Sequence, residues 1–239
     1  MQLAGYGTIK LYADGADSAS IVKLAEDPII SGFTTNPTLM RKAGVDDYES
    51  FARAILEQVT AKPISFEVFS DEPRDMARQA KLLASWGDNV FVKIPITNTL
   101  GSPTSGLVRE LTQEGLKLNI TAIMTQEQVL SILDSLEGTT GAVISVFAGR
   151  AADAGVDPLP LMSGCKALIN QYGGSIELLW ASPREILNLV QAIQVDCDII
   201  TMTSDLIAKV PLLGKPLEEY SLETVRMFYT DADAAGYSL

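Results

Sequence analysis

Histidine is absent from all 239 residues. Without imidazole there is no histidine-based triad and none of the usual zinc ligand sets. Proton transfer must fall to carboxylates, lysine, tyrosine or bound water. Cysteine is nearly absent as well: Cys165 and Cys197 form no metal or redox spacing, and a reduced, cytoplasmic setting is the simplest reading. Positive charge is scarce. Eighteen lysines and arginines face 30 acidic residues, a net charge of −12 that argues against nucleic acid or an anionic membrane as partner. An anionic substrate must therefore be held by a few placed cations. No glycine-rich phosphate loop or dinucleotide fingerprint is present, which leaves nucleotide chemistry without support. The N-terminus lacks a cationic segment followed by a long apolar one, and no apolar run reaches spanning length, so a soluble intracellular protein is expected.

What the chain does contain is a regular alternation. With 47% hydrophobic and 20% charged residues it can bury a sizeable core, and its length suits one undivided barrel. Eight short apolar strands are expected at Lys10–Asp14, Gly32–Thr35, Ile64–Phe69, Val90–Ile96, Leu118–Ile123, Ala142–Phe147, Ile176–Ala181 and Asp198–Met202. Helical segments are expected between them: Ala16–Ala25, Asp46–Thr60, Glu72–Trp86, Ser105–Glu114, Gln126–Leu136 after a cap at Thr125, Leu159–Tyr172, and Pro183–Ile193 with Ser182 as cap. A further helix over Ser221–Ala234 closes the chain. The pattern predicts a (β/α)8 TIM barrel over 1–239 with an extra C-terminal helix and tail at 221–239; a doubly wound open sheet is the alternative.

In such barrels the site lies at the C-terminal ends of the strands, so polar residues late in each strand are informative. Lys93 stands out inside the apolar run Val90–Ile96. An ammonium stripped of hydration gives up its proton more readily and leaves a nucleophilic amine; the alternative is a lysine whose head reaches water. Glu67 alternates against Ile64, Phe66 and Val68, and a buried carboxylate there fits either proton transfer or a structural ion pair. Asp14 ends the first strand, where a turn aspartate is the plain alternative. Asn36-Pro37 likewise fits a turn as well as a site. Asn119, Thr121, Ser145 and Phe147 lie on later strands, followed by Arg150 and by Ser182-Pro183-Arg184 at an expected helix start. Arginine forks and helix N-termini suit phosphate, although surface positions are the commoner fate of arginine. Together these groups suit carbonyl chemistry through a lysine Schiff base on a phosphorylated, polyhydroxylated substrate.

Six stretches taken in order carry a resemblance: Leu11-Tyr12-Ala13-Asp14, Gly32-Phe33-Thr34-Thr35-Asn36-Pro37, Val92-Lys93-Ile94-Pro95, Asn119-Ile120-Thr121, Ser145-Val146-Phe147-Ala148-Gly149-Arg150 and Ala181-Ser182-Pro183-Arg184. Over nearly its whole length the chain resembles the transaldolases, in the compact branch that also holds the fructose-6-phosphate aldolases. The resemblance implies that Lys93 forms the Schiff base with a donor such as fructose 6-phosphate or sedoheptulose 7-phosphate. It implies Asp14 as the base at the C4 hydroxyl, and Glu67 with Thr121 and a bound water as carriers of the carbinolamine protons. Asn36, Asn119 and Ser145, with Thr34 at the edge, would hold the dihydroxyacetone hydroxyls; Arg150, Ser182 and Arg184 would hold phosphate. Glu67 and Phe147 match the transaldolase side, where the aldolase branch has glutamine and tyrosine. Transfer to an aldose phosphate is thus expected over release of free dihydroxyacetone; a non-catalytic sugar-phosphate-binding barrel is the remaining alternative. Pro183 and Gly15 depart from the family pattern and leave the preferred sugars open. No cofactor or metal is implied. A homo-oligomer is implied, a decamer in many relatives, with the C-terminal helix reaching a neighbour.

Overall fold

The computed structural model describes residues 9–237. The chain divides into two compact units, Met1–Ile207 and Ala208–Leu239. In the first unit eight strands, all paired in parallel, close into a barrel in sequence order, β8 returning to β1. The strands are β1 (Lys10–Asp14), β2 (Ile30–Thr34), β3 (Ile64–Glu67), β4 (Val90–Pro95), β5 (Leu118–Ile123), β6 (Ala142–Val146), β7 (Ile176–Trp180) and β8 (Ile199–Thr203). The expected (β/α)8 barrel is the observed fold, and every expected strand is present with ends shifted by two residues at most.

Among the described residues ten α-helices belong to this unit. They are α1 (Ser18–Ala25), α2 (Pro37–Lys42), α3 (Tyr48–Leu56), α4 (Pro73–Ala84), α5 (Ser105–Gln113), α6 (Gln126–Leu133), α7 (Ala148–Asp153), α8 (Pro158–Tyr172), α9 (Leu187–Gln194) and α10 (Ser204–Ile207). Local chemistry sets their starts. Asp17 accepts from Ser20 N at the head of α1, Asp47 from Ser50 N at α3, and Thr125 with Gln128 forms a reciprocal capping box at α6. Each strand turns one apolar set outward against the helices: Phe66, Val92, Ile120, Val146, Trp180 and Ile200 are wholly buried. Burial of each such side chain stabilises the fold by about 1.5–3 kcal/mol.

The inward set alternates with it, and its lower layer is apolar. Tyr12, Val143, Leu179 and Ile199 pack together, with Phe91 against them. Gly32 is small because the Tyr12 ring fills its space; a Cβ there would stand 2.6 Å from a ring carbon. Two departures from regular backbone sit above this layer. Ala122 takes φ 62° where the β5–β6 register slips between Ile120 and Ile123, and Ser182 takes φ 60° just past β7.

Two expectations about helices need correction. Asn36-Pro37 does not make a turn alone: Asn36 caps α2, its Oδ1 accepting from Leu39 N at 2.9 Å, with Pro37 at the first helical position. The segment Ser182–Ile186 is not helical. Asn188 Oδ1 accepts from the backbone N–H groups of Arg184 and Glu185, which fixes a turn there and delays α9 to Leu187. Ser182, being left-handed in φ, is no N-cap.

The second unit carries α11 (Leu217–Ala234), which starts four residues before the expected helix; residues 238–239 of the expected tail lie outside the described residues. Among the described residues no helix is long and apolar enough to cross a membrane.

Gly149 locks the ends of β6 and β7 together. A Cβ at this position would stand 1.6 Å from the Ser182 carbonyl oxygen and 2.7 Å from its carbon, both backbone atoms that no rotamer can move. Gly149→Ala is expected to lose at least about 3 kcal/mol of stability through this overlap. A urea midpoint equal to that of the wild type would contradict the packing described.

Candidate active site

The upper inward layer is polar. A cleft of about 430 Å3 opens at the C-terminal ends of the strands, and eleven of the twelve residues expected from the sequence line it. The twelfth, Asn119, lies one layer lower and is 1% exposed. Its amide is already engaged: Nδ2 donates to Ser65 Oγ at 3.0 Å, and Oδ1 accepts from Ser145 Oγ at 2.6 Å. Asn119 thus braces Ser145 from the layer beneath the cleft.

Lys93 is 6% exposed and rises from β4 between Glu67 on β3 and Asn119 on β5, its direct register partners. Its Nζ donates to the Thr35 carbonyl at 2.9 Å and lies 3.1 Å from Glu67 Oε2. The ammonium thus has two oxygens in place of water rather than apolar surroundings alone. The Glu67 backbone is braced in turn, its N–H donating to the Tyr48 hydroxyl at 3.0 Å. Thr121, one strand further on, has a buried hydroxyl with no hydrogen-bond partner, and it faces the cleft. An unsatisfied buried hydroxyl costs free energy unless something in the cleft completes it.

Asp14 closes the ring at the end of β1. Thr34 Oγ1 donates to its Oδ1 at 2.7 Å, and Asn36 Nδ2 stands 3.4 Å from Oδ2. Burial holds this carboxyl above the usual carboxylate range; nearby Lys93 and the Thr34 and Asn36 hydrogen bonds pull it back in part, while Glu67 pushes it up.

The opposite wall is cationic. Arg150, on α7, lies over the Phe147 ring at 5.2 Å. Arg184 does not point free into the cleft: its Nε donates to both Asp153 oxygens at 3.0 and 2.9 Å, and a terminal nitrogen of its guanidinium joins them. The Arg184 hydrogen bonds hold the Asp153 carboxyl below its usual range. Both arginines line the cleft together with Ser182.

Sequence reasoning overlooked Thr201 and Asp153. Thr201 lines the cleft from β8, its hydroxyl 2.6 Å from that of Thr34. The signal was present, since Thr201 alternates with Ile200 and Met202 as the other site residues do with their neighbours. Asp153 had no signal beyond its place three residues after Arg150.

The strand ends of this (β/α)8 barrel bring one buried lysine, two carboxylates and a cationic wall into a single cleft, at the face where enzymes of this fold carry their sites. Comparison with known proteins narrows the class. Residues 11–239 match the family described as transaldolase/fructose-6-phosphate aldolase. A probable transaldolase of Streptococcus equi subsp. zooepidemicus is 35% identical over 218 residues, covering 90% of this chain and 95% of that protein. One from Dehalococcoides mccartyi is 33% identical over 194 residues, covering 81% and 86%. Probable transaldolase 2 of Listeria monocytogenes is 35% identical over 217 residues, covering 89% and 94%. The chain belongs to the transaldolase/fructose-6-phosphate aldolase family. Among solved structures, one described as native KDPGal shares 15% identity at a TM-score of 0.54, covering 99% of this chain and all of that one, and it shows the fold alone.

The raised Asp14 has a consequence for stability. The folded state binds this proton more tightly than the unfolded chain does, so Asp14's favourable contribution is full below the ordinary carboxylate pKa and is lost as pH rises through the raised value. Asparagine keeps an acceptor for Thr34 without the buried charge. Asp14→Asn is expected to melt higher than wild type at about pH 8, by about 2–4 °C for each kcal/mol recovered, and the gap should close on acidification. Thermal melts across pH check this; a variant that melts lower at about pH 8 would contradict it.

Proposed function

We propose that the chain is a Schiff-base transaldolase that moves a dihydroxyacetone unit from a ketose phosphate to an aldose phosphate. The observation that carries the reading is Lys93 Nζ held in the cleft 3.1 Å from the Glu67 carboxylate, with Asp14 on the same rim. Lys93 attacks the C2 carbonyl of a donor such as fructose 6-phosphate or sedoheptulose 7-phosphate. Glu67, with the Thr121 hydroxyl, carries the protons as the carbinolamine loses water to an imine. Asp14 removes the C4 hydroxyl proton, the C3–C4 bond breaks, and its electron pair flows into the imine as an enamine while the first aldose leaves. The enamine carbon then attacks the acceptor aldehyde, Asp14 returns its proton to the new alkoxide, and water releases the ketose. Ser145, Asn36 and Thr34 hold hydroxyls of the three-carbon unit. Arg150, Ser182 and Arg184 take the phosphate, which exchanges for Asp153 on the Arg184 fork. The apolar Phe147 ring, covered by Arg150, shields the enamine from stray protonation and favours transfer over release of free dihydroxyacetone.

Borohydride reduction in the presence of a ketose phosphate donor is expected to leave a stable three-carbon or full-sugar adduct on the peptide containing Lys93, seen by mass spectrometry. Lys93→Ala is expected to lose transfer by about a thousandfold or more. An unmodified Lys93 in protein that has turned over donor would sink the reading. Free dihydroxyacetone formed without acceptor as fast as transfer proceeds would assign the aldolase activity instead.

The second unit supports a homo-oligomer in the same terms. No residue of α11 is buried, and Val225, Phe228 and Tyr229 are 60%, 63% and 76% exposed. An 18-residue helix that buries nothing is marginal in water, and a second copy of the chain supplies the missing apolar surface. Light scattering is expected to give a multiple of the chain mass; a monomer at micromolar concentration would end this part of the reading.

A further inference from the structure

Three oxygens stand in line at the edge of the cleft: Thr201 Oγ1, Thr34 Oγ1 and Asp14 Oδ1, at successive separations of 2.6 and 2.7 Å. Counting protons fixes their directions. A threonine hydroxyl carries one hydrogen, and an ionised carboxylate can only accept. Thr34 must therefore spend its proton on Asp14, and the contact with Thr201 must be made by the proton of Thr201. Both hydroxyls are buried, Thr34 at 4% and Thr201 at 5% exposure, so water does not readily replace either. The two residues are 167 positions apart in sequence and are neighbours only because the barrel closes through β1, which lies between β2 and β8.

We propose that Thr201 is a positioning residue for the base: its hydroxyl, donating to Thr34, polarises and orients the Thr34 hydroxyl that pins Asp14 Oδ1, which leaves Oδ2 as the oxygen that exchanges the substrate proton. The inference rests on the proposed reaction and deepens it. Oδ1 is pinned by a short bond whose donor is itself polarised by a second one. Oδ2 has only the long 3.4 Å contact with Asn36, whose Oδ1 is held by the Leu39 N–H. The freer oxygen is the one that can take a hydroxyl proton without breaking a strong bond. In the ionised state the chain stabilises the charge and fixes the rotation of the carboxyl group, with Oδ1 pinned and Oδ2 left without a short bond.

Thr201→Val keeps the shape and removes the donor; Thr201→Ser keeps the donor. In Thr201→Val the Thr34 proton stays on Asp14 but Thr34 loses the donor that polarises it and holds its rotamer, and the carboxylate loses part of its hydrogen-bond support. The acid limb of kcat for transfer is expected to move up by about half to one pH unit, the shift that a weakened hydrogen bond to a charged group brings. Kcat at the optimum is expected to fall about five- to tenfold with KM changed less than about twofold. Borohydride trapping of donor on Lys93, which precedes the Asp14 step, should persist. Thr201→Ser should recover both the rate and the limb. The other charged groups near Asp14 are Lys93, Glu67, Arg150 and Arg184 in the cleft and Asp17, Lys42 and Asp205 in the adjoining one, and all are the same in each variant. A limb that stays at its wild-type pH in Thr201→Val, or a serine variant as impaired as the valine, overturns the proposal while leaving the Schiff-base reading intact. A wild type that traps no donor on Lys93 overturns both. If Thr201→Val melts below the assay temperature, Thr201→Cys, a weaker donor of similar size, takes its place, with the same limb shift expected in smaller measure and an unmoved limb counting against it.

Discussion

Removing an ammonium from water costs several kcal/mol unless a counter-charge and acceptors replace its hydration. Lys93, at 6% exposure, meets that demand with Glu67 and the Thr35 carbonyl, and the neighbouring structure follows from it. Glu67 must stand at the same height on the adjacent strand, so β3 and β4 pair these two residues directly. The Glu67 backbone must hold still, and the Tyr48 hydroxyl at the start of α3 fixes it. A pair of well-packed apolar residues in these two places would stabilise the barrel as well or better. The ion pair is therefore poor evidence of a stabilising role and good evidence of a chemical one.

The same economy governs the rest of the rim. Below Lys93 the barrel is filled by Tyr12, Val143, Leu179 and Ile199, so the polar groups rest on a dry floor. That floor lowers the local dielectric and strengthens each interaction above it, which is also why Asp14 is driven upward. Of the three non-glycine residues with left-handed φ among the described residues, Asp196 precedes β8 and the other two sit at the top of the barrel. Ala122 and Ser182 both adopt left-handed φ directly beside cleft residues, and both line the cleft themselves. Strain of about 1–3 kcal/mol at each is tolerated because the packing around it is rigid, with Gly149 seated against the Ser182 carbonyl.

The barrel was legible in the sequence because its strands are buried on both faces, and runs such as Val90–Ile96 or Ala142–Phe147 have few other uses. The lysine and the two carboxylates were legible for the opposite reason, as charges out of place in those runs. What failed was local ambiguity. Asn36-Pro37 satisfies the rules for a turn and for a helix start equally, and only the Leu39 N–H decides between them. Ser182-Pro183 carries the signature of a capped helix, but Asn188 captures the N–H groups of Arg184 and Glu185 first. The buried amide of Asn119 and the Thr201 hydroxyl depend on partners far along the chain, at separations of 54 and 167 residues, and no window of sequence contains those distances.

The acidic surface poses a last question for a site proposed to take phosphates. A charge of −12 repels an anionic sugar at long range, but screening confines that repulsion to about 8–10 Å at ordinary ionic strength. Close to the wall the balance is local. Arg150 presents its guanidinium across an aromatic ring, and Arg184 is already matched by the Asp153 carboxylate. On the proposed reading a phosphate displaces one carboxylate from a planar fork, bringing more charge and more acceptor oxygens to the same geometry. The exchange favours phosphate over a neutral hydroxyl, because a hydroxyl cannot compensate the pair it would have to break. On that reading Asp153 keeps Arg184 oriented and neutralised until an anion of matching shape arrives, and the cleft would discriminate by what it makes a ligand displace as much as by what it offers.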